Sequence, residues 1–135
     1  MRVGYGIANK TIIDTLNKIR PPFNITTLSL KAASASLFDE EFLLDSVTNN
    51  FSEMEKYKQF AKQYEIDILE SYANFVTFIL HNKLNSTKIS NLLLRQGIVV
   101  RDLASYGLNA VRITIGIPQQ NDIVIQKLTD ILQDL

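Results

Sequence analysis

The first third of the chain carries apolar residues at helical spacing. The apolar positions after Asn9 are Ile12, Ile13, Leu16 and Ile19. Their recurrence every three or four residues predicts a helix over residues 11–19 with Asn9 as its N-cap. Pro21 and Pro22 end this helix because neither can donate a backbone hydrogen bond, so residues 21–25 form an extended linker.

Two further helices are predicted before the middle of the chain. Thr26 or Thr27 begins one that continues through small side chains at residues 32–36. Asp39 opens a longer amphipathic helix that runs to about Tyr64. Its apolar stripe consists of Val47, Phe51, Met54, Ala61 and Tyr64. Such a stripe is more often the core face of a globular helix than a surface for a partner or a membrane.

Strand and helix patterns alternate in the second half. Segments rich in β-branched and aromatic residues predict strands at residues 66–69, 74–80, 98–101 and 111–115. Ser86 is predicted to cap a helix over residues 87–96, which Gly97 ends, and a last helix follows Pro118. The expected buried side of that last helix comprises Ile123, Val124, Ile125, Leu128, Ile131 and Leu132. The pattern predicts an α/β (α+β) domain with a sheet of three or four strands covered by helices.

Composition narrows the classes of function. Fourteen basic residues balance fourteen acidic ones, so no overall field draws the chain to nucleic acid or an anionic membrane. The chain contains no cysteine and one histidine, His81, which predicts no metal site. No apolar run reaches the roughly 18 residues of a membrane span, and the start is unlike a signal peptide. We therefore expect a soluble cytoplasmic protein.

Two arginines lie in apolar strand patterns. Arg101 ends the run at residues 97–101, and Arg112 lies inside the run at residues 111–116. A charge in such a strand is costly unless it faces solvent or meets an anion. Spacing alone favours Arg112 and Thr114 facing water on one side of an alternating strand. The planar fork of arginine also fits a carboxylate or phosphate, so an anion site stays open.

Four segments carry a resemblance to a known family. They are RVGYGIA at residues 2–8, RPPFNI at residues 20–25, SYANFV at residues 71–76, and residues 97–116, which include GIVVR, LASYGL and RITIG. In this order the segments resemble the carboxy-terminal third of histidinol-phosphate aminotransferases, which are fold-type I pyridoxal-phosphate enzymes.

The resemblance implies roles for three arginines. Arg2 would bind the phosphate of pyridoxal phosphate. Arg101 and Arg112 would hold the anionic end of the substrate, a phosphate or, in close relatives, a carboxylate. The Schiff-base lysine of the family belongs a few residues before Arg2, so the resemblance implies a fragment with no catalytic residue of its own and no activity alone.

The resemblance also implies a domain organisation and a reaction. Residues 1–25 would be a remnant of the large cofactor-binding domain, with a strand at residues 3–8, a helix and a linker, and residues 26–135 would be the small domain. The full-length protein would be a homodimeric transaminase of histidine biosynthesis, acting on glutamate and imidazole-acetol phosphate. The alternatives are an aromatic-amino-acid aminotransferase, a related decarboxylase, and a stand-alone binding or dimerisation module.

Overall fold

The computed structural model of the chain describes residues 2–81 and 83–134. Its contacts divide the chain into two compact units, Met1–Leu44 and Asp45–Leu135. Helices and an antiparallel sheet make up the second unit, which confirms the predicted mixed α/β class. The domain boundary predicted after residue 25 stays a prediction.

The first unit contains two helices with side-chain caps. Helix α1 covers Lys10–Ile19, and the Asn9 Oδ1 atom accepts from the Ile12 amide at 3.0 Å, as the sequence predicts. Helix α2 covers Thr27–Ser36, and the Thr26 Oγ1 atom accepts from the Ser29 amide at 3.2 Å. Each cap satisfies an amide that a helix end leaves without a partner.

Residues 2–9 form neither helix nor strand, so the strand predicted at residues 3–8 is wrong for this structure. An apolar, extended sequence becomes a strand only when a neighbouring strand pairs with its backbone. No residue of α1 or α2 is buried. The apolar residues of α1 include Ile12, Leu16 and Ile19, all of which are exposed.

Helix α3 covers Glu40–Gln63, close to the predicted span. The Asp39 Oδ1 atom accepts from the Phe42 amide at 3.1 Å at its start. The buried residues of this helix are Glu53, Met54, Tyr57, Phe60 and Ala61. Val47 and Phe51 are 43% and 55% exposed, so the prediction that they face the core is wrong.

The second unit contains a four-stranded antiparallel sheet in the order β1-β2-β4-β3. The strands are β1 (Asp67–Ile68), β2 (Phe75–Ile79), β3 (Arg101–Asp102) and β4 (Ala110–Thr114). The strand predicted at residues 98–101 joins the sheet only at Arg101. Earlier in that segment, the Ile98 amide donates to the Leu93 carbonyl at 3.0 Å, so it closes the preceding helix and does not pair with β4.

Helix α4 covers Ser86–Arg95, and the prediction that Ser86 caps it is wrong. The capping side chain is Asn85, whose Oδ1 atom accepts from the Lys88 amide at 2.9 Å. Gly97 ends the helix in the left-handed conformation at φ 80°, as predicted. Ser86 lies inside the helix, and its hydroxyl takes part in a different network described below.

Helix α5 covers Pro118–Gln133 and completes the layer of helices. Leu128 and Ile131 are buried, whereas Ile123 is 56% exposed, which corrects its predicted place in the core. Helices α3, α4 and α5 cover one face of the sheet. The apolar residues of that face include Val76 and Phe78 of β2 and Val111 and Ile113 of β4, all buried.

Candidate functional site

The two strand arginines are direct neighbours in the sheet. Arg101 of β3 and Arg112 of β4 are cross-strand partners. Along β4, Val111 and Ile113 are buried while Arg112 and Thr114 are exposed, so the alternation places Arg112 on the face away from the helices. Arg112 faces solvent, as its spacing along the strand predicts. The strand register also places it beside Arg101, so both arginines could contact one anion.

Aromatic side chains, not carboxylates, contact these arginines. The Arg101 Nη2 atom donates to the Tyr106 hydroxyl at 3.1 Å, and its Cζ atom lies 5.8 Å from the centroid of that ring. The Arg112 Cζ atom lies 5.0 Å from the centroid of Phe75 on the neighbouring strand β2. Within residues 2–81 and 83–134, no ion pair involves either arginine. The pair therefore keeps two positive charges for a ligand.

The positive charge of the pair is evident in the ionisation of Tyr106. The pKa of its phenol is lowered, first by the hydrogen bond from Arg101, then by the charge of Arg101 and more weakly by that of Arg112. Both arginines thus stabilise negative charge at the Tyr106 oxygen. An anion placed on this face would experience the same attraction.

A carboxylate next to Arg101 connects the site to helix α4. The Asp102 carboxylate accepts from the Ser86 hydroxyl at 2.8 Å, the Thr87 hydroxyl at 2.6 Å and the Ala104 amide at 3.0 Å. The pKa of Asp102 is lowered, chiefly by the bond from Thr87, against a smaller effect of desolvation. These bonds fix the end of β3 to the start of α4, and so fix the backbone that carries Arg101.

A buried polar network lies at the other end of β4. The Asn121 Oδ1 atom accepts from the Tyr57 hydroxyl at 3.1 Å and from the Gly116 amide at 2.9 Å. Its Nδ2 atom donates to Glu53 Oε2 at 2.9 Å and to the Gly116 carbonyl at 3.0 Å. Asn121 is 1% exposed, and burial raises the pKa of Tyr57. The network ties the loop after β4 to α3 and α5.

Arg2, the residue predicted to bind the cofactor's phosphate, lies in the first unit. Its side chain is exposed, and none of the hydrogen bonds or ion pairs in the described part of the chain involves it. A cavity of about 330 Å³ in this unit is lined by Val3, Gly4, Tyr5, Ser29, Ala32, Ala33, Ser36 and Leu37. No charged side chain lines that cavity, so the cavity itself does not fit the phosphate of pyridoxal phosphate.

The remaining candidate chemistry does not form a site. His81 is exposed, and its Nε2 atom lies 2.8 Å from Asp67 Oδ2. Among the described residues no group of three or more potential ligands could hold a metal ion. None of the helices built from those residues is long and apolar enough to cross a membrane.

Sequence reasoning missed Phe75, Tyr106 and Asp102. Phe75 lies within the segment SYANFV, and Asp102 and Tyr106 lie within the segment at residues 97–116. Their roles depend on contacts across strands and between a strand and a helix. No spacing along the chain could have identified those contacts.

The fold is a small α/β domain that carries two arginines side by side on the exposed face of its sheet. The chain belongs to the aminotransferase class I and II family, whose sequence pattern matches residues 1–128. This family is generally dependent on pyridoxal phosphate.

Two relatives share the same name. The chain is 56% identical over 121 residues to histidinol-phosphate aminotransferase of Sulfurimonas denitrificans, covering 90% of the chain and 33% of that protein. It is 50% identical over 132 residues to histidinol-phosphate aminotransferase of Campylobacter hominis, covering 98% of the chain and 36% of that protein. The chain thus spans about a third of the length of the curated relatives it matches.

Solved structures share the fold. The histidinol-phosphate aminotransferase from Clostridium acetobutylicum superposes with a TM-score of 0.82 at 24% identity, covering 94% of this chain and 39% of that one. A decarboxylase from Sulfurospirillum multivorans superposes with a TM-score of 0.74 at 22% identity, covering 92% of this chain and 37% of that one. At this level of identity the likeness shows the fold of fold-type I aminotransferases and no more.

Proposed function

We propose that the chain is the carboxy-terminal part of a pyridoxal-phosphate-dependent aminotransferase that acts as a histidinol-phosphate transaminase. The observation that carries the proposal is the pair of arginines side by side on the free face of the sheet, whose side chains contact aromatic rings and form no ion pair among the described residues. The relatives of that name support it because they match most of the chain at about half identity or better.

The arginine pair suits a phosphate ester. Like charges directly opposite each other in a sheet repel, so the pair on its own destabilises the strands. A bound dianion would reverse this by interacting with both guanidinium groups, each of which can donate two parallel hydrogen bonds to its oxygens. Imidazole-acetol phosphate carries such a dianionic phosphate. The proposed reaction transfers the amino group of glutamate to the oxo carbon of imidazole-acetol phosphate.

The remaining roles belong to the longer protein. Arg2 would bind the phosphate of pyridoxal phosphate, which supplies the electron sink for transamination when bound. The lysine that carries the cofactor in this family is expected outside the chain, so the 135 residues alone should not transaminate. The longer enzyme is proposed to be a cytoplasmic homodimer.

The anion site can be tested on the chain itself. Titration with inorganic phosphate, followed by NMR of the arginine side-chain N–H groups, should show binding at Arg101 and Arg112. Arg112→Gln should weaken that binding by roughly tenfold, because about 1.5–3 kcal/mol is typical of a hydrogen bond to a charged group and solvent reduces it here. Arg95→Gln, which changes an exposed arginine at the end of α4, is the matched control and should leave the affinity unchanged.

The substrate class is tested in a protein of full family length. Turnover of imidazole-acetol phosphate with glutamate should exceed turnover of carboxylate-ended aromatic 2-oxo acids, and Arg112→Gln should reduce the phosphate-ended reaction more. A preference for the aromatic acids would favour the aromatic-amino-acid aminotransferase. Equal phosphate binding by the chain and by its Arg112→Gln variant would refute the anion site itself.

A further inference from the structure

We propose that Tyr106 is a positioning residue of the anion site, whose hydroxyl holds the guanidinium of Arg101 beside Arg112 before any anion binds. This inference rests on the proposed function of the arginine pair. It adds a residue to which neither the family resemblance nor the strand pattern assigns a role.

The arginine pair needs such a restraint. Arg101 and Arg112 are directly opposite each other, so their charges repel and favour rotamers in which the guanidinium groups point apart. Ordering a long arginine side chain costs about 1.5–2 kcal/mol of rotamer entropy, which weakens a site that must order two of them on binding. In most proteins a nearby carboxylate would hold such a side chain. Here a carboxylate would also neutralise the charge that the anion needs.

Tyr106 restrains Arg101 without neutralising it. Its hydroxyl accepts one N–H of the guanidinium at 3.1 Å, and its ring lies 5.8 Å from the Arg101 Cζ atom. A neutral phenol leaves the arginine fully charged, and four of the five guanidinium N–H groups remain for a ligand. Arg112 is held by the face of Phe75 at 5.0 Å, which uses none of its donors. Each arginine therefore has its own aromatic support.

The backbone holds Tyr106 in turn. A 3-10 turn covers Ala104–Tyr106, and the Tyr106 amide donates to the Leu103 carbonyl at 2.9 Å. The Asp102 carboxylate accepts from the Ala104 amide at 3.0 Å, and Gly107 closes the turn in the left-handed conformation at φ 77°. The same aspartate follows Arg101 in β3. One anchored segment of six residues, 101–106, thus carries both partners of the bond.

The arrangement has a consequence at alkaline pH. The pKa of Tyr106 is lowered by the hydrogen bond from Arg101 and by the charges of Arg101 and Arg112, the groups of β3 and β4 that face it. When the phenol ionises, its negative charge cancels part of the field of the pair. Anion affinity should then fall as the pH approaches 10, the ordinary value for tyrosine. A side chain with a purely structural role would not produce that decline.

Sulfate is the appropriate probe, since it stays doubly charged between pH 7 and 10. The 135-residue chain is titrated with sulfate while the Cδ–H signals of the arginines, which do not exchange with water at high pH, are followed by NMR. At pH 7, Tyr106→Phe should bind sulfate about three- to tenfold more weakly than the parent chain, from the loss of one hydrogen bond to a charged donor in a solvent-exposed site. Tyr5→Phe, which removes the hydroxyl of a tyrosine that is 84% exposed, should bind sulfate as the parent does.

The pH dependence of sulfate affinity tests whether the ionisation of Tyr106 affects the arginine pair. Between pH 7 and 10 the affinity of the parent chain should fall more steeply than that of Tyr106→Phe, because the two chains share every lysine and differ only in the phenol. Equal affinities at pH 7 together with equal pH profiles would overturn the role of Tyr106 while leaving the arginine pair intact. If sulfate binding instead does not depend on Arg112, the proposed anion site itself fails, and the positioning role fails with it.

Discussion

Replacement of Asn121 by alanine tests how much the buried polar network contributes to the stability of the second unit. The asparagine makes four hydrogen bonds, and two of its partners have alternatives: Lys56 lies 3.1 Å from Glu53, and Asn49 donates to the Gly116 carbonyl at 3.0 Å. Asn121→Ala therefore leaves the buried Tyr57 hydroxyl and the partly buried Gly116 amide without partners.

The expected loss follows from those two groups. An unsatisfied buried donor or acceptor costs about 1–3 kcal/mol, so Asn121→Ala should lower the free energy of unfolding by about 2–4 kcal/mol, with the smaller share from the partly buried amide. Such a loss is a large fraction of the roughly 5–15 kcal/mol by which a domain is stable. Urea unfolding followed by circular dichroism at neutral pH measures it directly.

Two matched variants make the reasoning refutable. Asn49→Ala removes one bond to a carbonyl that keeps its bond from Asn121, and should cost no more than about 1 kcal/mol. Asn121→Asp keeps the acceptor for Tyr57 but places a second carboxylate against Glu53. The pKa of the introduced carboxyl group should therefore be raised in the folded state. The resulting destabilisation should be present at neutral pH and should diminish as the pH falls through that raised pKa. A loss below 1 kcal/mol for Asn121→Ala, or no pH dependence for Asn121→Asp, would refute the account.

Two further predictions concern the segment that carries Arg101 and Tyr106. Gly107→Ala should destabilise the second unit by about 1–2 kcal/mol in urea unfolding, because the left-handed backbone at φ 77° strains any β-carbon although the space around it is open. Gly107→Asn should cost less, and equal stability of all three proteins would contradict the strain argument. For Asp102 the folded-state pKa is lowered, so its carboxylate stabilises the fold above the ordinary value of 3.8 and loses that effect as the pH falls through the lower folded pKa. Asp102→Asn should therefore have a lower free energy of unfolding than the parent at pH 6, and the difference should shrink below pH 3.8. A difference that does not change with pH would show that the three donors do not stabilise the ionised carboxylate.

Local chemistry explains why the helices were predictable from the sequence. Asn9 and Thr26 cap their helices because a short polar side chain can satisfy an exposed amide wherever a helical pattern begins. Gly97 ends α4 because the left-handed conformation there costs glycine nothing. Such determinants lie within a few residues of their effects and hold in any tertiary setting.

Burial was predicted less well, because burial depends on what lies opposite. Phe51 and Ile123 belong to apolar helical stripes, yet each is more than half exposed. The residues that do pack in α3 lie from Glu53 onwards, where Tyr57 and Phe60 contact Phe78 of the sheet. A stripe indicates which face of a helix can be buried, and only the position of the sheet decides how much of that face is covered.

The sequence by itself determined the helices and the caps of α1 and α2, the mixed α/β class, and the two strand arginines as candidates for an anion site. Only the tertiary structure decided that Arg101 and Arg112 are cross-strand partners, that Phe75 and Tyr106 support them, and that Asp102 anchors their strand to α4. The physical reason is range. Capping and helical propensity act over one turn of chain, whereas register brings together residues whose spacing along the chain carries no information about which atoms meet.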